Sequence, residues 1–143
     1  MGAAVTTNTT CQVIVERMFS VEMAYLASDR KDVRLLAEAF SEDVVIHEPG
    51  SLPYSGQWRG LERLAALFAK MNEVWSKMQV DDLLVTGSCE LVHLSCRLTM
   101  TSRATGRTAT QPFAECLRFS EGRLVEGIPI YYDTQELLGL ITP

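Results

Sequence analysis

FAECLRFSEGRLVEGIPIYYDT, residues 113–134, alternates bulky apolar and polar side chains on either side of Glu121-Gly122. Period-two alternation is the mark of a strand with one buried face, and an acid–glycine pair between two such runs is a turn. The stretch therefore predicts two antiparallel strands. Pro129 lies inside the second and cannot donate to a ladder, so a bulge or an edge is expected there. Asp133-Thr134 then supplies the N-cap of a short terminal helix over 135–140. Upstream the alternation continues, with strands predicted over 79–87, 90–101, 107–120 and 123–133 and turns at Gly87-Ser88 and Ala104-Thr105-Gly106.

Before Gln79 the period changes. From Cys11 to Ser28, Val13, Ile14, Met18, Val21, Ala24, Tyr25 and Leu26 recur at three- and four-residue spacing, as an amphipathic helix requires. Asp32 is placed to cap a second, short helix carrying Val33, Leu36, Ala37 and Phe40. Gly60 precedes a third helix, in which Leu61, Leu64, Leu67, Phe68, Met71 and Trp75 keep helical period. DVVIHEP, residues 43–49, reads as a strand between the second and third. The order α-α-β-α-β-β-β-β predicts an α+β fold, three helices packed on one face of a curved, mainly antiparallel sheet.

At 143 residues, with 47% hydrophobic and 22% charged, the chain is expected to form a single domain spanning 1–143. Its net charge of −5 lacks the clustered basic footprint of a nucleic-acid surface. No apolar stretch has membrane-span length. MGAAVTTNTTCQV has no basic and apolar leader pattern, so residues 1–10 are read as a flexible start and a cytoplasmic location is expected. Cys11, Cys89, Cys96 and Cys116 form no CxxC pair, and in a reducing compartment all four are expected as free thiols. Neither His47 nor His93 has a partner at metal-ligand spacing, so no metal and no cofactor are expected.

Side chains alternate along a strand, so the facing of a charge follows from its neighbours two residues away. Glu48 is in phase with Val44 and Ile46, and Glu115 with Phe113, Leu117 and Phe119. Both carboxyls thus fall on the apolar side that faces the helices, where an unpaired acid has its pKa pushed up towards the range useful for proton transfer. His47 takes the opposite phase and reads as a structural histidine. His93, Ser95, Arg97, Thr99 and Thr101 make a polar row on the outer face. Tyr54 and Trp58, either side of Gly56, are candidates for a pocket rim. Tyr25, Phe40, Phe68, Phe113 and Tyr132 complete the expected pocket lining.

AFSEDVVIHEPG (39–50), YSGQWRGLERLAALF (54–68) and the stretch 113–134, in that order and spacing, resemble the NTF2-like superfamily, and within it the SnoaL-like and ketosteroid-isomerase-like proteins. The resemblance covers about Val13 to Leu138. It implies a cystatin-like conical barrel, a bent sheet wrapped round three helices with a pocket between them, and a homodimer through the outer sheet face. VIHEP places Glu48 where ketosteroid isomerases carry their general base, and AECLRF places Glu115 where they carry a protonated acid that donates to the enolate oxygen. The isomerases' oxyanion tyrosine on the first helix falls near Ala24, which has no hydroxyl, and Tyr25 is turned about 100° away. SCRLTMTS and IPIYYD lack the aspartates of the limonene-epoxide-hydrolase type. The resemblance implies a protein with a pocket for a small apolar molecule. It can be a cofactor-independent isomerase or cyclase using Glu48 and Glu115 on a carbonyl substrate, a non-catalytic binding module, or a dimeric interaction module. The last would tie both carboxylates to bases such as Arg118 or Arg97.

Overall fold

The elements follow from the two periods. A computed structural model of the protein describes residues 9–143, with side chains from residue 11. In chain order it contains α1 (Thr9–Ala27), a short 3-10 helix (Val33–Glu38), β1 (Phe40–Glu48), β2 (Gly56–Arg59), α2 (Leu61–Val74), β3 (Trp75–Gly87), β4 (Leu91–Ser102), β5 (Thr108–Ser120), β6 (Arg123–Tyr131) and α3 (Thr134–Ile141). The expectation of a flexible start over 1–10 lies outside the described residues for 1–8, and Thr9 and Thr10 already belong to α1. Asp32 caps the 3-10 helix by accepting from the Arg34 amide, and Asp133 caps α3 by accepting from the Glu136 amide. Phe40, expected at the end of the second helix, opens β1 instead. GQWR, which alternation does not mark, forms β2, with Ile46 opposite Trp58.

The strands make one six-stranded sheet in the order β2-β1-β6-β5-β4-β3. It is strongly curved without closing on itself, as the resemblance implies. Each neighbouring pair is antiparallel except β1 with β6, which is parallel. Pro129 sits in a central strand, which proline normally avoids. Its position is tolerated because the β1–β6 pairing ends at Ile46 opposite Gly127, leaving that side of β6 locally an edge.

The helices cover the concave face. Val15, Met18, Val21 and Tyr25 of α1 and Leu64, Leu67 and Phe68 of α2 pack on Val44, Val92, Leu94, Leu117 and Leu124 of the sheet in one continuous core. The expectation of four free thiols is corrected here. Cys11, in the first turns of α1, forms a disulfide with Cys89 in the β3–β4 turn, 78 residues away. No local spacing announces such a pair; the fold brings the ends together. Cys96 and Cys116 are free.

Candidate functional site

Between α1, α2 and the concave sheet lies a cavity of about 770 Å³, within the range that accepts a small organic ligand. Its walls are mostly apolar. Met18, Phe19, Met23 and Leu26 come from α1, Leu64, Phe68 and Met71 from α2, and Trp75, Leu98, Phe113 and Tyr131 from the strands. Three carboxyls interrupt this surface: Glu22 from α1, Glu48 from the end of β1 and Glu115 from the middle of β5.

Strand phase puts the last two there. On β1 the buried set Val44, Ile46, Glu48 alternates with the outward His47, and Glu48 is only 8% exposed. On β5, Phe113, Leu117 and Phe119 are buried in phase with Glu115, which pairs across to Pro129 of β6. Glu22 is a site residue that the strand reasoning missed. It lies four residues after Met18 and four before Leu26, both of which line the cavity, so its helical spacing was the available signal.

Among the described residues none of the three carboxyls is paired with a base. Arg118 is bound to Glu126 and Arg97 to Asp82, on the outer side of the sheet, so the expected ties of an interaction module are absent. Oε2 of Glu48 is buried with no hydrogen-bond partner. Burial pushes Glu22 up to about 7. Burial, reinforced by the Glu22 charge, pushes Glu48 up to about 8. Glu115 rises to about 8 for the same first reason, with Glu22 and Glu48 adding to it. The group as a whole therefore titrates around neutral pH, and its protons belong to the set rather than to single residues.

Phe40, Phe68 and Phe113 line the cavity. Tyr25, Tyr54, Trp58 and Tyr132 do not, and each misses for a physical reason. Tyr25 is buried in the core, its ring 6.4 Å from that of Phe68. Tyr54 is fully buried behind the wall, where its hydroxyl accepts from Trp75 Nε1 at 2.9 Å and meets the Tyr131 hydroxyl at 3.2 Å. Trp58 turns its indole to the Tyr54 carbonyl and lies under the Arg63 guanidinium. Tyr132 is 75% exposed on the outer face. Alternation counted from Leu124 puts Tyr132 inward, but β6 carries an extra residue where Leu124 faces Phe119 and Glu126 faces Arg118. That bulge reverses the phase and turns Tyr131 inward in its place. Burial and the neighbouring acids raise the Tyr131 hydroxyl well above its ordinary value, so it enters the site as a neutral donor.

His47 faces out, 2.9 Å from Glu126 and within reach of Gln57. A second hollow of about 550 Å³, over Ser88, Glu90, Leu91 and Arg118, gathers no comparable set of acids. Among the described residues no group of His, Cys, Asp and Glu side chains is arranged to hold a metal ion, and no helix is long and apolar enough to cross a membrane.

Residues 21–127 match the family model of the SnoaL-like domain. No curated protein matches the chain. Among solved structures, an NTF2-like protein from Burkholderia xenovorans is similar, with 21% identity, a TM-score of 0.78, and coverage of 97% of this chain and 100% of that one. An NTF2-like protein of unknown function from Burkholderia pseudomallei is 25% identical at a TM-score of 0.69, covering 91% of this chain and 98% of that one. The protein TerC, co-crystallized with polyporic acid, is 18% identical at a TM-score of 0.71, covering 90% and 97%.

Proposed function

The chain belongs to the SnoaL-like domain family, and from that premise we propose that it is a cofactor-independent isomerase or cyclase acting on an apolar carbonyl compound. The observation that carries this reading is the convergence of Glu48 and Glu115 on one apolar cavity with no base to neutralise either. Loss of a single proton from such a set leaves one carboxylate beside acids that are still protonated, and both forms are needed at once. In the proposed reaction the Glu48 carboxylate removes a proton from the carbon next to the carbonyl. The protonated Glu115 donates a hydrogen bond to the oxygen on which the negative charge develops. The enolate then either takes the proton back at a different carbon or attacks a second carbonyl carbon of the same molecule, whose C=O π bond breaks and whose oxygen receives the proton held by Glu48. Tyr131, held by the Tyr54 hydroxyl, is a further neutral donor within the cavity.

The direct test is hydrogen–deuterium exchange at the α-carbon of enolisable hydrophobic ketones in D2O, followed by proton NMR. Exchange faster than the buffer rate is expected, falling by about 10²–10⁴-fold in Glu48→Gln. Ketones that bind without exchanging would leave a binding protein, and a Glu48→Gln variant that exchanges as fast as the natural chain would remove Glu48 from the chemistry.

The outer face supports association of two copies. Ile128 and Ile130 of β6 and Tyr132 just after it are exposed, separated by β5 from the polar row of β4, and we propose a homodimer through this face, to be checked by light scattering of the natural chain and of Ile130→Glu.

A further inference from the structure

The cations near the carboxyl set are engaged elsewhere. Arg118 and Arg97 are paired on the outer face. Lys31 closes the end of α1 by donating to the carbonyls of Tyr25 and Ser28. Arg103 binds the carbonyls of Asn72 and Trp75. Lys77 lines the cavity at its exposed rim, and no ion pair joins it to Glu22, Glu48 or Glu115. The cavity thus gathers three acids with no ion pair to a base, and Oε2 of the nearly buried Glu48 has no hydrogen-bond partner. Groups left in this state cost stability until something arrives to complete them.

What arrives is constrained by the geometry. The acids stand on three separate elements and do not close round one point as metal ligands, so the positive charge has to sit on a larger, organic frame. The rest of the lining is apolar and aromatic, with Phe40, Phe68, Phe113 and Trp75 among its rings, and ring faces attract a cation as well as a hydrocarbon. Glu22 is the acid on the helical wall, between Met18 and Leu26, and is less deeply buried than Glu48. Its charge raises both of the other two acids. Ionising a second acid beside it is opposed by the like charge, which favours a ligand with a single positive group.

We infer that the cavity takes an apolar ligand bearing one ammonium group, received by the Glu22 carboxylate on the α1 wall while Glu48 and Glu115 remain free for a carbonyl on the same molecule. The carbonyl half rests on the acid–base reading above; the ammonium half requires no turnover. The titratable groups that face Glu22 across the cavity are Glu48 of β1, Lys77 of β3, Cys96 of β4, Glu115 of β5 and Tyr131 of β6, while α2 offers only uncharged side chains.

The test is calorimetric titration of the full chain with two probes of one shape, 1-naphthylmethylamine and 1-naphthalenemethanol, at pH 6 and pH 7.5. At pH 7.5 the amine is expected to bind about tenfold tighter than the alcohol, and at pH 6 its binding is expected to release a proton from Glu22 that shows as a dependence of the heat on buffer. The preference shrinks at pH 6, where Glu22 is protonated. Glu22→Gln is expected to abolish the preference while leaving alcohol affinity within about twofold, which shows that the cavity is intact. Equal or tighter binding of the alcohol at pH 7.5 would overturn the inference. So would an amine preference that survives Glu22→Gln, or failure of both probes to bind at millimolar concentration. Ketone exchange without amine preference would sink the ammonium site and leave the acid–base reading standing; the reverse result would do the opposite.

Discussion

His47 and Glu48 are neighbours in the chain and look out on opposite sides of β1. On the outer side His47 meets Glu126, which is also bound by Arg118, and these two partners hold the Glu126 carboxyl below its ordinary value. On the inner side Glu48 meets apolar surface and other acids, and its carboxyl rises to about 8. The two glutamates have the same chemistry. What separates them is the company that strand alternation provides, and the outer company is commonplace whereas the inner one is costly. A costly arrangement of acids in a cavity is the kind that function retains.

The contrast depends on α1 remaining in place as a wall, and its first turns are tied down by the Cys11–Cys89 bond. Cys89→Ser is expected to lower stability by about 2–4 kcal/mol, read in urea unfolding. The same variant lets water reach Glu22 and Glu48 and draws their titration, followed by carbon-detected NMR, back towards ordinary carboxylate values. A midpoint unchanged by Cys89→Ser would show that packing alone holds the wall.

A smaller effect sharpens the comparison through pH. Glu48 titrates at 4.5 when unfolded and at about 8 when folded. The stability contributed by its protonated form is therefore fully present below about 4.5 and is lost as pH rises through 8. The ligand-free chain is expected to weaken steadily from pH 5 to pH 8. Glu48→Gln flattens that slope and is more stable than the natural chain at pH 8 by on the order of 2 kcal/mol, an amount reduced from the full linkage because the cavity admits water. Equal slopes in thermal melts of the two chains would show that Glu48 is solvated.

The smallest effect comes from the outer side and has the opposite sign. The carboxylate of Glu126 is favoured in the folded chain, so its contribution is present at neutral pH and is lost as pH falls through its lowered value. Glu126→Gln should cost less than about 1 kcal/mol at pH 7, because partly exposed pairs contribute little, and nothing measurable at pH 3. A larger cost at pH 7 would mean that this trio organises the sheet rather than decorating it.

Period alone reads the helices up to their last turns, the strands from Gln79 onward and the inward facing of Glu48 and Glu115, whereas Phe40 and Trp75 continue the helical period and yet open β1 and β3. Three features resisted. Glu22 escapes because a helix stripe is read by its apolar members, and an acid inside the stripe registers as a gap. Alternation points Tyr132 inward in place of Tyr131 because a single extra residue in β6 reverses the facing of everything after it, and although Pro129 signals a bulge or an edge in this strand, nothing in RLVEGIPIYY puts the extra residue at Val125. The disulfide joins residues 78 apart, and no spacing rule reaches that far. Local chemistry is written in neighbouring letters; long-range partners are not.

The parallel pairing of β1 with β6 carries a consequence for how the chain is made. As the polypeptide leaves the ribosome, β1 emerges early and its central partner is the last strand of the sheet. Until residues 123–131 are available, β1 and β2 can form only a hairpin, with the Glu48 end of the strand open to water. Domains fold as units once their final element is free, so the nascent chain holds its acids in water until β6 threads between β1 and β5. Only then does the site acquire its dryness, and with it its chemistry.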